Sequence, residues 1–410
     1  MRVALIQPNS PYLTYPLAFP SLGLLYISAH LKANGYETEY FDLTGCDDKS
    51  FPMLVQFPEL RADVIAFSCQ ITQYKEVLRL RHMLKKNNPD AKFVIGGPFP
   101  THSPGICLRD NFFVIQGEGE IPMLQFLQGI EEPYKHVDPN FFPDWNAIDL
   151  QRYGYGLEGK RCINIMTKRG NCPYNCGFCA KTELGRSPLR FRTVANVLAE
   201  CAYLKGRGFG AIAIYDDDVL INKKRDYEIF DGLKNLGMPY RCMTRTDLAN
   251  WDDLVKLKET GCAEVAIGVE TADEEIRLTI KKGTTLKQDT LFVQIAKEIG
   301  LRVKAYLMIG LPGETRRTVY KTLAWLRKNK PDNFDISIFT PYPGSHIYKH
   351  KMDYQIDWDQ EVLQDIWFSG EAQYGSCAVR TPKLSSVEIL ELKELFQRKE
   401  GGSTTYWKPL

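Results

Sequence analysis

Short apolar runs alternate with amphipathic stretches twice along this chain, and that alternation leaves few folds open. In the first series, VALIQP (3–8), TEYFDL (38–43), VIAFSC (64–69), KFVIGG (92–97) and NFFVIQG (111–117) read as strands. Between them, 21–33 reads as a helix ended by Gly35. The segment 74–86 puts Tyr74, Val77, Leu78, Leu80, Met83 and Leu84 on one helical face, and 121–127 is a short closing helix. Apolar strands joined through helices predict a mostly parallel sheet covered on both sides. Ligands of such sheets bind at the carboxyl edge of the strands. Gly96–Gly97 and Gly117-Glu118-Gly119-Glu120 fall at that edge, where glycine admits close backbone approach; ligand-free tight turns are the alternative. No GxGxxG opens a helix after the first strand, so the ordinary dinucleotide fingerprint is missing.

The second series has six strands: CINIMTKRG (162–170), FGAIAIYDDD (209–218), YRCMTR (240–245), EVAIGVE (264–270), RVKAYLMIG (302–310) and DISIFT (335–340). Helices are expected around Val194, Val197, Leu198, Cys201 and Leu204, then over 223–236, 250–260, 287–299 and 315–329. Six repeats make a partial barrel, short of the eight that close one. Residues 131–160, rich in Pro, Asn, Asp, Trp and Tyr, read as a linker stiffened by Pro133, Pro139 and Pro143, or else as a surface loop. The chain therefore divides into a first α/β domain (1–130), a linker (131–160), a partial barrel (161–345) and a mixed extension (346–410). Helices are expected in the extension over 358–368 and 387–396, and the last ten residues read as irregular. Trp358, Trp367, Phe368 and Tyr374 either cap the barrel mouth or pack the extension in place.

Lys and Arg total 52 against 50 Asp and Glu, a formal charge of +2, which argues against an overall nucleic-acid footprint. No run of eighteen apolar residues suggests a membrane span, and MRVALIQPNS resembles a first core strand more than a signal peptide. The eleven cysteines are odd in number and mostly sit in apolar segments, which fits buried thiols in a reducing cytosol better than disulfides.

The segment TKRGNCPYNCGFCAKT holds three of those cysteines, Cys172, Cys176 and Cys179, on a loop after a strand. Pro173, Asn175 and Gly177 favour a turning path that can wrap three thiolates around one compact object. Three ligands leave one iron of a four-iron cubane open to an amino-carboxylate, whose sulfonium can then accept an electron. Apolar Phe178 and Ala180 would help exclude water. Structural zinc prefers four ligands, and no fourth Cys or His is near. A redox pair needs only Cys176 and Cys179, and unrelated buried thiols remain a further reading.

With this CxxxCxxC loop, and an aromatic before its third cysteine, the chain resembles the cobalamin-binding radical S-adenosylmethionine (SAM) family over nearly its whole length, excluding the region beyond about 346. The resemblance implies a Rossmann-like cobalamin-binding domain, then a (β/α)6 radical SAM barrel and a small C-terminal extension. Its cofactors would be a 4Fe-4S cluster on Cys172, Cys176 and Cys179, S-adenosylmethionine and cobalamin. Phe178 would lie near the adenine. One or more of Asp216, Asp217 and Asp218 would meet the methionyl amine, Arg245 its carboxylate, and Glu270 the ribose. Met308, Gly310 and Pro312 in MIGLPGET would line the adenine, and the KKGTT segment holding Lys281 and Lys282 also resembles the family. In the first domain, Ser68, Gly96, Gly97, Gly117 and Glu118 would face the corrin or its nucleotide tail. The loop after the first strand has no histidine for cobalt, and His102 reads as a loop histidine.

The activity implied is methylation of an unactivated carbon through a 5′-deoxyadenosyl radical and methylcobalamin. Cyclisation, ring contraction or another rearrangement is the alternative, and a sulfur-inserting RNA enzyme or a non-enzymatic cofactor-binding protein are further ones. A small molecule or peptide would be the substrate, and a flavodoxin or ferredoxin the electron donor. Cys377 is a candidate proton or hydrogen-atom donor, or a spare thiol.

Overall fold

The computed structural model describes residues 1–10, 13, 15–46, 60–130, 136–183, 187–369 and 376–400. Pro133, Tyr374 and the last ten residues lie outside the described residues, as does the side chain of Phe368. The chain forms two compact units. The first takes most of 1–153 with two short later pieces that include 187–188 and 364–369; the second takes the rest.

The first unit is a five-stranded parallel sheet ordered β2-β1-β3-β4-β5. The strands are β1 (Val3–Gln7), β2 (Thr38–Asp42), β3 (Val64–Ser68), β4 (Lys92–Gly96) and β5 (Phe113–Val114). Alternate side chains of β1 explain the two layers. Val3 and Leu5 pack with Leu24, Leu31, Met123 and Leu127 of the helices Leu22–Ala33 and Glu120–Gln128. Ala4 and Ile6 pack with Tyr74, Val77, Leu80 and Leu84 of the helix Tyr74–Asn87. A strand buried on both faces needs no polar alternation, so β1 is apolar nearly throughout. The strand order reverses between β1 and β3, which makes their carboxyl ends the switch point of the sheet. Two short helices after β4, Pro98–His102 and Pro104–Arg109, have no counterpart among the sequence expectations.

The second unit is a seven-stranded sheet ordered β14-β13-β12-β11-β10-β7-β6. Its six parallel strands are β7 (Lys160–Ile165), β10 (Ala211–Ile214), β11 (Tyr240–Met243), β12 (Cys262–Glu270), β13 (Val303–Ile309) and β14 (Asn333–Ile338). β6 (Tyr155–Leu157) pairs antiparallel with β7 and so closes one edge within the stretch read as linker. β8 (Lys168–Arg169) and β9 (Arg190–Phe191) form a two-strand ribbon at the root of the cysteine loop. The curled sheet is a partial barrel. Side-chain oxygens of Thr193, Asn222, Asn250, Asp273, Thr285 and Thr315 cap the helices that follow the strands, and so fix where each strand-to-helix loop ends.

The extension adds an antiparallel pair, β15 (Asp357–Trp358) with β16 (Val379–Arg380), and the helices Gln360–Ser369 and Ser386–Glu400. Trp358 is buried and stacks on Tyr348 at 5.6 Å, a packing role. Trp367 is buried and is grouped with the first unit.

Candidate functional site

In the second unit the cysteine loop leaves β8 and is pinned from two sides through Gly177. Its N–H donates to the Ile280 carbonyl at 2.8 Å, and its carbonyl accepts from Ile347 N–H at 2.9 Å. A Cβ here would stand 3.3 Å from both the Ile280 carbonyl and the Tyr354 hydroxyl, a tight fit that would push these neighbours back by a few tenths of an ångström. Cys172, Cys176 and Cys179 are half-buried thiols, and none of the eleven cysteines forms a disulfide. Burial pushes all three upward, Cys172 to about 12, with Asp218 and Asp217 adding to the rise. Such thiols ionise when a cationic metal centre takes the negative charge.

Charged side chains ring the loop. Cys172 donates to Asp218 at 3.5 Å. Arg245 Nη1 lies 3.9 Å from Cys176 Sγ and 3.1 Å from the Lys282 carbonyl. The other edge of its guanidinium is held in a fork by Asp247 at 2.9 and 2.8 Å, and its plane covers Tyr174 at 3.8 Å. Lys282 Nζ lies 2.9 Å from Glu270 Oε1 and 5.9 Å from the centre of the Phe178 ring. Burial works against the Lys282 charge, but the Glu270 carboxylate outweighs it and raises the ammonium pKa. Glu270 ends β12 with φ +63°, just past a register irregularity between Gly268 and Glu270. A Cβ on Gly268 would lie 2.4 Å from Glu270 Oε1 and 2.7 Å from Lys282 Nζ, so this buried pair exists because residue 268 has no side chain.

The three aspartates after β10 have separate positions. Asp216 is buried and accepts from the N–H of Thr167 at 2.8 Å and from its hydroxyl, so it ties β10 to the root of the cysteine loop. Asp217 pairs with Lys181. Asp218 faces Cys172, and burial, opposed by Lys168, lifts its carboxyl to about 6.

The MIGLPGET residues are engaged elsewhere. Gly310 N–H and Leu311 N–H both donate to buried Glu314, at 2.7 and 3.1 Å. The side-chain space at Gly310 (φ +85°) is filled by Val379 and Ile389 of the extension. Met308 is half-buried and Pro312 buried. Cys377 is buried, donates to the Val379 carbonyl at 3.3 Å, and is pushed up to about 11 by burial. The structure thus gathers Phe178, Asp218, Arg245 and Glu270 with the cysteines. It places Asp216, Gly310 and Cys377 in other contacts.

Lys282, Tyr174, Asp247 and Thr167 were given no role from sequence. Lys282 had a signal, its KKGTT segment; the rest act through contacts that no spacing announces.

In the first unit, the expected edge is built of backbone. Gly97 has φ +105°, and a Cβ on it would lie 2.9 Å from the Cys69 carbonyl. Cys69 N–H donates to the Gly96 carbonyl at 2.8 Å, just past Ser68. Thr101, unassigned from sequence, joins two glycine loops: its hydroxyl donates to the Gly97 carbonyl at 2.7 Å and accepts from Gly117 N–H at 3.0 Å. Glu118 lies 3.8 Å from His136. His102 sits on the short helix after β4, away from the loop that follows β1.

The donor set can be tested against candidate metals. Among the described residues no three Cys, His, Asp or Glu side chains converge as a single ion requires. A mononuclear zinc site draws four donors to one centre, whereas thiolates of a cubane each meet a different iron and stand further apart. The three thiols on one pinned loop, outside any disulfide and beside the cations Arg245 and Lys282, fit the multi-iron cluster.

An open parallel sheet with a glycine-built edge, followed by a half barrel with a three-thiol loop, defines a radical enzyme with a corrinoid module. The family description "B12 binding domain" matches residues 12–127 and "Radical SAM superfamily" matches 168–326. The chain belongs to the cobalamin-binding radical SAM enzyme family, whose cofactors are a 4Fe-4S cluster, S-adenosylmethionine and cobalamin. An uncharacterized methyltransferase of Pyrococcus horikoshii is 26% identical over 363 residues, 81% of this chain and 78% of that protein. The anaerobic magnesium-protoporphyrin IX monomethyl ester cyclase of Rubrivivax gelatinosus is 25% identical over 392 residues, 86% of this chain and 70% of that one. The structure of TsrM, a radical S-adenosylmethionine methyltransferase of Kitasatospora setae, covers 98% of this chain and 86% of its own at 16% identity, with a TM-score of 0.72; the two share a fold. Among the described residues no helix is long and apolar enough to cross a membrane.

Proposed function

We propose that this enzyme methylates an unactivated carbon of a small molecule or peptide. The observation that carries the reading is the pairing, in one chain, of a B12-binding domain with the three-thiol loop, supported by the likeness to the P. horikoshii protein named as a methyltransferase. When bound, the cluster would supply the electron that cleaves S-adenosylmethionine, and cobalamin would carry the methyl group.

The chain's own residues would do the rest. Cys172, Cys176 and Cys179 would hold the cluster. Arg245, immobilised by Asp247 and Tyr174, presents a fixed cation beside Cys176 for the methionyl carboxylate. Glu270, oriented by Lys282, offers its second carboxylate oxygen to ribose hydroxyls. Asp218, beside Cys172, would meet the methionyl amine, with Asp217 next to it, and Phe178 and Met308 would exclude water around the adenine. Gly96, Gly97, Gly117, Ser68 and Glu118 form the corrin-facing edge. Asp216 positions the loop through Thr167, and Pro312 and Gly310 shape the end of β13.

The test is incubation with S-adenosylmethionine carrying a deuterated methyl group and extracts fractionated for substrate. A product heavier by the labelled methyl supports the reading; a turned-over product without label overturns it. Radical rearrangement without methyl transfer is the second reading, favoured by the likeness to the R. gelatinosus cyclase over 86% of this chain, and an unlabelled cyclised product would establish it.

A further inference from the structure

Glu270 sits in a backbone conformation that glutamate rarely adopts. Its φ is +63°, and the turn around it spans three residues, closed by Thr271 N–H on the Val269 carbonyl at 2.8 Å. Three-residue turns with a positive φ are strained and persist only where the surroundings hold them. One side chain does the holding. Arg277, on the helix Glu274–Thr279, is 2% exposed, and its guanidinium carries five N–H donors in one plane. Nη1 donates to the carbonyls on both sides of Glu270, Val269 at 2.8 Å and Thr271 at 3.0 Å. Nε donates to the Thr284 carbonyl at 3.1 Å, and Nη2 to the Thr284 hydroxyl at 2.6 Å. Nη2 also lies 2.8 Å from the buried carboxylate of Asp289.

The same contacts reach the rest of the charged ring. Thr284 folds the KKGTT segment back onto Arg277, whose own carbonyl takes Lys282 N–H at 3.0 Å. Lys282 in turn holds Glu270 through its ammonium and Arg245 through its carbonyl. Asp289 accepts from the hydroxyl of Thr246, the residue after Arg245, at 2.6 Å. Arg277 thus stands behind both the Glu270 carboxylate and the Arg245 guanidinium. Stability alone does not call for such a residue, because a buried ion pair is often equalled by apolar packing. A lysine would keep the charge beside Asp289. With three donors on one nitrogen it could not span the two carbonyls and Thr284.

We propose that Arg277 is a positioning residue for S-adenosylmethionine: it fixes the strained turn at Glu270 so that this carboxylate faces the ribose hydroxyls. This rests on the reading of Glu270 as the ribose contact.

The experiment uses the full-length protein, reconstituted anaerobically and kept with its cluster oxidised, so that S-adenosylmethionine binds without being cleaved. Binding of labelled S-adenosylmethionine is measured by equilibrium dialysis for wild type, Arg277→Lys, Glu270→Gln and the double variant, with iron content beside each. Arg277→Lys is expected to keep its iron and to weaken binding about tenfold. The double variant is expected to bind no more weakly than Glu270→Gln, because the two residues act through one contact. Wild-type affinity in Arg277→Lys overturns the proposal. So do losses that add in the double variant, which report a general effect on the fold. If Arg277→Lys takes up no iron, Thr284→Val decides by the same cycle, since it removes one acceptor of the guanidinium and leaves the charge pair in place. A loss of about threefold that vanishes beside Glu270→Gln then supports the proposal, and wild-type affinity overturns it. Glu270→Gln that binds as tightly as wild type overturns the reading of Glu270 as the ribose contact, and this proposal with it, whatever Arg277→Lys does.

Discussion

The carboxyl edge of the first sheet and the charged ring of the second unit are built in opposite ways. The first is backbone: Gly97 packs on the Cys69 peptide with no room for a Cβ, and one hydroxyl, Thr101, ties its loop to that of Gly117. The second is side-chain charge, Lys282 on Glu270 and Arg245 on Asp247, taken partly out of water and fixed by pairing. A backbone edge is near neutral and reads shape, so added volume breaks it. A charged ring reads charge, so an unmatched charge breaks it while added volume matters only where it separates a pair. At Gly268 the second unit uses the first unit's device, and it does so to let two charges meet.

That contrast can be broken experimentally. The largest effect is expected from Cys172→Ala, Cys176→Ala or Cys179→Ala, each of which should abolish the cluster's visible absorption and S-adenosylmethionine cleavage while cobalamin retention stays at wild type. Loss of cobalamin as well would deny that the edges are separable. Next, Lys282→Met strands Glu270 without its partner and should cost about 3–5 kcal/mol, read by denaturant unfolding. The double variant Lys282→Met/Glu270→Gln should recover most of that, and no recovery would mean that volume, not charge, decides this pair. Gly97→Val combines a positive φ with a clash against Cys69 and should cost roughly 1–3 kcal/mol. It should lower cobalamin retention and leave iron content unchanged.

The smallest effect concerns pH. Burial raises the Glu314 carboxyl from 4.5 to about 8. The folded chain then keeps a proton that the unfolded chain releases. The stability linked to this group is whole below pH 4.5 and declines as pH rises toward about 8. Glu314→Gln should flatten that decline in melting temperatures measured across the window; an unchanged slope would assign it to other groups.

Much of the architecture was legible because burial writes itself as pattern. Strands covered on both faces, such as Val64–Ser68 and Ala211–Ile214, are apolar runs that periodicity finds. What pattern cannot show is pairing between distant residues. β6 has three residues and exists because β7 offers an edge, and β15 and β16 have two each, too short to leave a period. In the site, three cysteines at close spacing announced themselves. The DDD run looked like one feature but supplies three roles, because Asp216 turns inward to Thr167, Asp217 meets Lys181 and Asp218 meets Cys172. The positions of Arg245 and Glu270 came from resemblance. The partners that hold them, Asp247 and Lys282, are set by the fold.

The seat that Val379 and Ile389 take at Gly310 has a consequence for biosynthesis. Strand β13 leaves the ribosome some seventy residues ahead of the side chains that cover its end. Through that interval the nascent barrel lacks the two side chains that cover the end of β13. Translation past residue 389 would therefore be the step that makes the half barrel resistant to proteases, with release of a shorter chain leaving it open.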